Sequence, residues 1–209
     1  VTGYEIIQLP FPELLGSAEP HRLFWAMTDR QSQLFYEWLV NEMPVRIAGL
    51  EKCVRSTPSF ASWTANFTRD SLDALGDWFA RAVTTRSRSR EEKDAIYRTG
   101  PEWFKSVAID DWTLTDETFS LAYDIGMYLG RVMEENVPGV HWVRVTKPKR
   151  LMEYNMPALA GLIPPAVDPV GLARVLAYGL AEGKKDGTGL RNVYDTWAAM
   201  VPLPSRKST

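Results

Sequence analysis

The stretch FSLAYDIGMYLGRVMEENVPGVHWVRVTKPK, residues 119–149, decides the fold, because it sets two glycines inside a helical pattern and then turns into a tryptophan-bearing, strand-like run. A glycine in a helix interior costs about 0.8–1.0 kcal/mol relative to alanine, so tertiary packing must offset Gly126 and Gly130. Ala122, Gly126 and Gly130 recur at i, i+4 and form a smooth ridge. Leu121, Ile125, Tyr128, Leu129 and Val132 make the adjoining apolar face. The pattern predicts a central helix over 115–135, approached closely by a neighbour on its glycine side; the functional alternative is a groove opened by the glycines for a ligand or partner. Asp124 is an acidic residue amid apolar positions and calls for a partner. Tyr128 and Arg131 are the candidates at helical spacing, and a carboxylate aimed into a cleft is the alternative.

Thr115 supplies an N-cap for this helix, with Asp116 and Glu117 in its first turn. Behind Pro138 and Gly139, the β-branched and aromatic run VHWVRVT predicts a strand whose partner is MPALAGLI, residues 156–163. Alternation puts Trp142 and Arg144 on one face and His141, Val143 and Val145 on the other. The valine-bearing face is expected to be the buried one.

Working outward, TDRQSQLFYEWLVNEM (28–43) opens with a capping box at Thr28 and Gln31, and Pro44 is expected to end or kink that helix before a second one over 45–55. FTRDSLDALGDWFARAV (67–83) predicts a helix capped by Thr68 that buries Leu72, Leu75, Phe79 and Ala82. TTRSRSREEKD (84–94) reads as an exposed loop leading into a short helix near 91–98. After Pro164 and Pro165, Asp168 and Pro169 open another helix as N-cap and N1. A last helix carries Leu190, Val193, Tyr194, Trp197 and Val201 on one face and stops at Pro202. These elements give a mainly α (α+β) fold: a single bundle-like helical domain over 28–201 with a small two- or three-stranded sheet around 140–162. An extended arm over 1–27 precedes it and a frayed tail over 202–209 follows.

The 209 residues are 45% hydrophobic and 24% charged, as in an ordinary globular chain, and 24 basic against 26 acidic side chains supply no global field for a polyanion. A nucleic-acid partner is therefore disfavoured. One cysteine, Cys53, permits no intrachain disulfide. The N-terminal residues lack a basic and apolar leader pattern, and no run approaches the roughly 20 apolar residues of a membrane span. A cytoplasmic protein without membrane contact is expected.

HExxH, GxSxG, Walker A, GxGxxG and CxxC patterns are all missing from the sequence. The spacing of His21 and His141 does not suggest a zinc site. No catalytic residue, metal or cofactor is predicted. HWVRVTKPKRLMEYN (141–155) concentrates Trp142, Arg144, Lys147, Lys149, Arg150 and Tyr154 in one short segment. Aromatic and arginine side chains are what protein interfaces use as anchors, so this segment is the candidate binding surface; the plain alternative is an edge strand protected by solvated lysines. A carboxylate-based enzyme site from Asp110, Asp111 and Asp124 with His141 is the second reading, and a nucleic-acid accessory role through the basic segment the third.

The blocks FYEWL, SLDALGDWF, DDWTLTDETFSLAYDIGMYLG, HWVRVTKPK, NMPAL, DPVGLARVLA and VYDTW, in this order between residues 34 and 200, resemble a family of bacterial proteins of unknown function. No site residue is implied by that resemblance. A small helical chain without enzymatic motifs is also similar in style to immunity and antitoxin proteins. A non-enzymatic protein-binding module, of the kind that inhibits another bacterial protein, is the functional expectation.

Overall fold

The computed structural model describes residues 3–17, 19–100, 102, 106, 108–163 and 166–201. The expected tail over 202–209 and the Pro164–Pro165 pair lie outside them. Among the described residues there are seven α-helices and two antiparallel two-stranded sheets, so the mainly α reading holds. The helices are α1 (Pro20–Ala26), α2 (Asp29–Arg55), α3 (Ser71–Ala82), α4 (Arg90–Thr99), α5 (Asp116–Asn136), α6 (Pro169–Ala181) and α7 (Gly189–Ala198). The strands are β1 (Thr85–Ser87), β2 (Trp112–Leu114), β3 (His141–Arg144) and β4 (Pro157–Ala160). No helix among the described residues is long and apolar enough to cross a membrane.

α5 is the central helix. The Thr115 hydroxyl accepts from the Thr118 amide at its start, and an almost unbroken run from Thr118 to Met133 is buried. A helix buried on every side must be surrounded by others, and α6 and α2 provide its largest interfaces. The glycine ridge works as expected. A Cβ on Gly126 would stand 2.5 Å from the Val170 Cα and 2.8 Å from the Pro169 carbonyl oxygen, so the first turn of α6 rests directly on the α5 backbone. A Cβ on Gly130 would collide with the Trp142 indole. The ridge therefore receives a helix at one glycine and an aromatic ring at the other.

α2 opens with the capping box of Thr28 and Gln31, but it does not break at Pro44. One helix runs from Asp29 to Arg55 with that proline inside. The apolar stripe explains the continuity, since Phe35, Leu39, Met43, Ile47, Leu50 and Val54 all face the core. Pro44 sits on the exposed side, where water can serve the carbonyl that loses its donor. α3 begins at Ser71, three residues past Thr68; the Thr68 hydroxyl still accepts from the Ser71 amide at 3.3 Å. The short helix of the polar stretch is α4, opened by a Ser89–Glu92 capping box.

β3 and β4 pair from His141 with Ala160 to Arg144 with Pro157, as the sequence suggests, and Leu159 adds an isolated bridge to Val167. The β1–β2 pair is a strand pairing the sequence does not announce: Thr85 meets Leu114 and Ser87 meets Trp112. The N-terminal segment is not extended throughout, because it ends in α1, with Pro20 in the first turn. It also joins the core: Tyr4, Ile7, Leu9, Leu14 and Phe24 are buried.

Candidate functional site

The segment 141–155 does not present all six of its candidate residues. Trp142 is only 8% exposed and lies over Gly130, its indole N–H without a hydrogen-bond partner among the described residues. The flat ring needs the space that a missing Cβ leaves, so it faces inward and is no surface anchor. The tryptophan face of β3 thus meets the main core, while the valine face, expected to be the buried one, covers a small separate cluster in which Val145 is buried with Ala158 and Ala166 and Val143 is partly buried; His141 is exposed. Arg144 is engaged within the fold: its Nη1 donates to the Asp29 carboxylate at 2.7 Å and to the Ser32 hydroxyl at 3.2 Å. Lys147, Lys149 and Arg150 remain exposed on the loop that follows, and Tyr154 is partly buried with the Lys149 ammonium 6.0 Å from its ring centre.

A residue outside the predicted set completes this surface. Trp25, on α1, is 45% exposed, and its indole N–H donates to the carbonyls of Leu151 and Met152, each at 3.1 Å. His21, one turn earlier, meets its ring edge-on at a centroid distance of 5.4 Å. Met152 stands beside it, 62% exposed. Asn155 holds the two parts together: it adopts φ 67°, which Asn tolerates better than most residues, and its side-chain amide donates to the carbonyls of Phe24 and Met27. The Ser32 hydroxyl in turn donates to the Asn155 carbonyl at 2.9 Å. Trp25 and Met152 therefore stand exposed at the end of the loop that carries the exposed Lys147, Lys149 and Arg150. Pro20 after Glu19 is the sequence signal for α1, and reading the segment as an extended arm hides it.

The alternative carboxylate site is not assembled. Asp110 and Asp111 are exposed ahead of β2, and Asp111 pairs with Lys93. His141 is exposed after the far end of α5, its Nδ1 2.9 Å from the Gly139 carbonyl oxygen. The 21 residues of α5 separate the two ends by roughly 30 Å at 1.5 Å per residue. Asp124 lies midway along that helix and inside the core. It pairs with Arg46, whose Nε and Nη2 reach its two oxygens at 2.9 and 2.7 Å, and it accepts from the Tyr4 hydroxyl. Neither Tyr128 nor Arg131 serves it: Tyr128 bonds Ser71 and the Phe67 amide, and Arg131 pairs with Glu134 and Glu135.

Burial pushes the Asp124 carboxyl up to about 6, against the pull of the Arg46 guanidinium and the Tyr4 hydroxyl. The same burial, joined by Asp124 itself, raises the Tyr4 phenol. The geometry is that of a latch: Tyr4 and the Glu5 carbonyl, which accepts from Arg46 at 3.0 Å, pin the N-terminal segment to α2 and α5. Cys53 is partly buried and burial raises its thiol above the ordinary value, which disfavours the reactive thiolate. Among the described residues no three His, Cys, Asp or Glu side chains gather as a metal site. Compared with family models, curated proteins and solved structures, the chain finds no match.

Proposed function

We propose that the protein is a non-catalytic binding module that docks a protein partner on the patch formed by Trp25, Met152 and the basic loop of Lys147, Lys149 and Arg150. The observation that carries this reading is Trp25: a large aromatic residue left 45% exposed yet fixed in one orientation by two carbonyls of the neighbouring loop. An aromatic ring ordered before binding loses little entropy on contact and is the residue type that dominates interface energies. The three cations beside it favour a partner with an acidic rim around an apolar spot. Three cations on a chain of net charge −2 offer few phosphate contacts, which sets a nucleic-acid partner behind a protein one. The resemblance in style to immunity proteins extends the proposal to inhibition of that partner by covering its surface.

Affinity capture from the native cell tests the reading. The wild type should retain a partner that Trp25→Ala loses, with a weakening of about 2 kcal/mol or more and an unchanged thermal melt. Lys149→Ala should change equilibrium affinity little and mainly slow association at low salt. If the same partner is retained equally by Trp25→Ala and by the Trp25→Ala/Met152→Ser double variant, the patch is not the interface.

A further inference from the structure

A groove that shares no residue with that patch is lined by the loop before α1, by α1 itself, by the turn from β1 into α4, by α4 and by the start of α5. Its volume is about 460 Å³, within the size range of small-molecule sites. It stands open in the folded chain, so no element has to move to admit a ligand. Leu15, Leu23 and Ile96 are only half-buried along it, and Phe119 adds an aromatic wall. Apolar surface in a concave place gains from being covered.

The charged groups of the lining are matched unevenly. Arg86 donates to both oxygens of Glu92, at 2.9 and 2.6 Å, and Arg22 pairs with Glu19 at 3.1 Å. Arg88 gives no side-chain hydrogen bond and joins no ion pair among the described residues. Its Nε is shut off from solvent as well as unpartnered, and a buried donor of this kind costs free energy until an acceptor reaches it. With no internal bond to break, the side chain can turn that donor toward the groove it lines. Glu92 does not serve it, because the Ser89 amide also donates to that carboxylate, at 2.7 Å, and ties it to the capping box. Glu13 and Asp116, the other acidic residues of the lining, are exposed and without an ion pair among the described residues. They oppose a ligand with more than one negative charge.

We propose that this groove binds a small monocarboxylate with an aryl or alkyl body, its carboxylate on the Arg88 guanidinium and its body against Leu15, Leu23, Ile96 and Phe119. Arginine meets a carboxylate through two parallel N–H donors, which engages Nε together with one Nη. The probe is hydrocinnamate, titrated into the full ¹⁵N-labelled chain while the Arg88 Nε–H signal, assigned by its loss in Arg88→Gln, is followed. That signal should shift saturably. The amide of the same acid, alike in shape but neutral, should bind about tenfold more weakly, as a charge-assisted bond gives way to a neutral one. Arg88→Gln should keep the wild-type melt, since no side-chain bond is lost, and should bind acid and amide alike. Phenethylphosphonate, at a pH where it is a dianion, should bind more weakly than the monocarboxylate because Glu13 and Asp116 repel its second charge. Should Arg88→Gln fail to fold, the acid-to-amide ratio in the wild type decides. No saturable shift of the Arg88 signal, equal affinity for acid and amide, or tighter binding of the phosphonate would each overturn the proposal.

Discussion

Replacing Gly126 by leucine is expected to destabilise the protein by about 3 kcal/mol or more, at or beyond the upper end of ordinary overpacking. The reason is what the new side chain meets. Its first carbon alone would lie 2.5 Å from the Val170 Cα and 2.8 Å from the Pro169 oxygen, both backbone atoms. Backbone cannot rotate away as a side chain can, so α6 must be pushed off α5 along its largest interface. Alanine makes a sharper test. In an isolated helix it should stabilise by about 0.8–1.0 kcal/mol over glycine, yet here it should destabilise. Urea denaturation of both variants decides the matter, and a wild-type midpoint for Gly126→Ala would mean that the two helices do not touch at this point.

Arg46→Ala should cost about 3–5 kcal/mol near neutral pH, because it leaves the Asp124 carboxylate buried without its counter-charge. The sign of the pH dependence follows from the carboxyl itself. Its value in the folded chain is raised from 3.8 to about 6, so the folded state takes up a proton more readily than the unfolded one. The contribution of this group to stability is fully present below pH 3.8 and is lost as pH rises through about 6. Removing Arg46 removes the main force that lowers that value, so it climbs further and the variant's deficit should shrink as the pH is taken down from neutral. The triple replacement Tyr4→Phe, Arg46→Met, Asp124→Leu removes the three polar side chains of the buried group, leaving only the Glu5 carbonyl, and should recover most of the loss. Denaturation curves at several pH values would show a constant deficit if Asp124 were instead solvated.

The parts of this fold that local chemistry governs are legible in the sequence. Thr28 with Gln31 and Thr115 with its acidic first turn specify helix starts, and Pro138–Gly139 marks the passage into β3. The ridge of Ala122, Gly126 and Gly130 announces close packing because its local cost has no local remedy. What is not legible depends on pairings between distant residues. Alternation along β3 groups Trp142 with Arg144, but only the gap over Gly130 determines that Trp142 enters the main core while Val145 is left to a smaller cluster. Asp124 demands a partner, yet its helical neighbours are spoken for and the partner is Arg46, 78 positions away. β1 is exposed at every residue, so no apolar pattern betrays it. Pro44 misleads because proline rules describe a single helix turn, whereas the stripe from Phe35 to Val54 binds the whole length of α2 to the core.

The candidate surface was readable only in part for the same reason. Lys147, Lys149 and Arg150 stand in the segment whose composition points to an interface, while Trp25 reaches it from over a hundred residues away, through the indole bond to Leu151 and Met152. Site-specific photo-crosslinking tests the binding proposal most directly. A benzophenone amino acid placed at Met152 is compared, in the native cell, with one at Val175 on α6, a position equally exposed at 62%. The proposal predicts one discrete protein adduct from position 152 and none from position 175; equal labelling at both, or none at position 152, would contradict it.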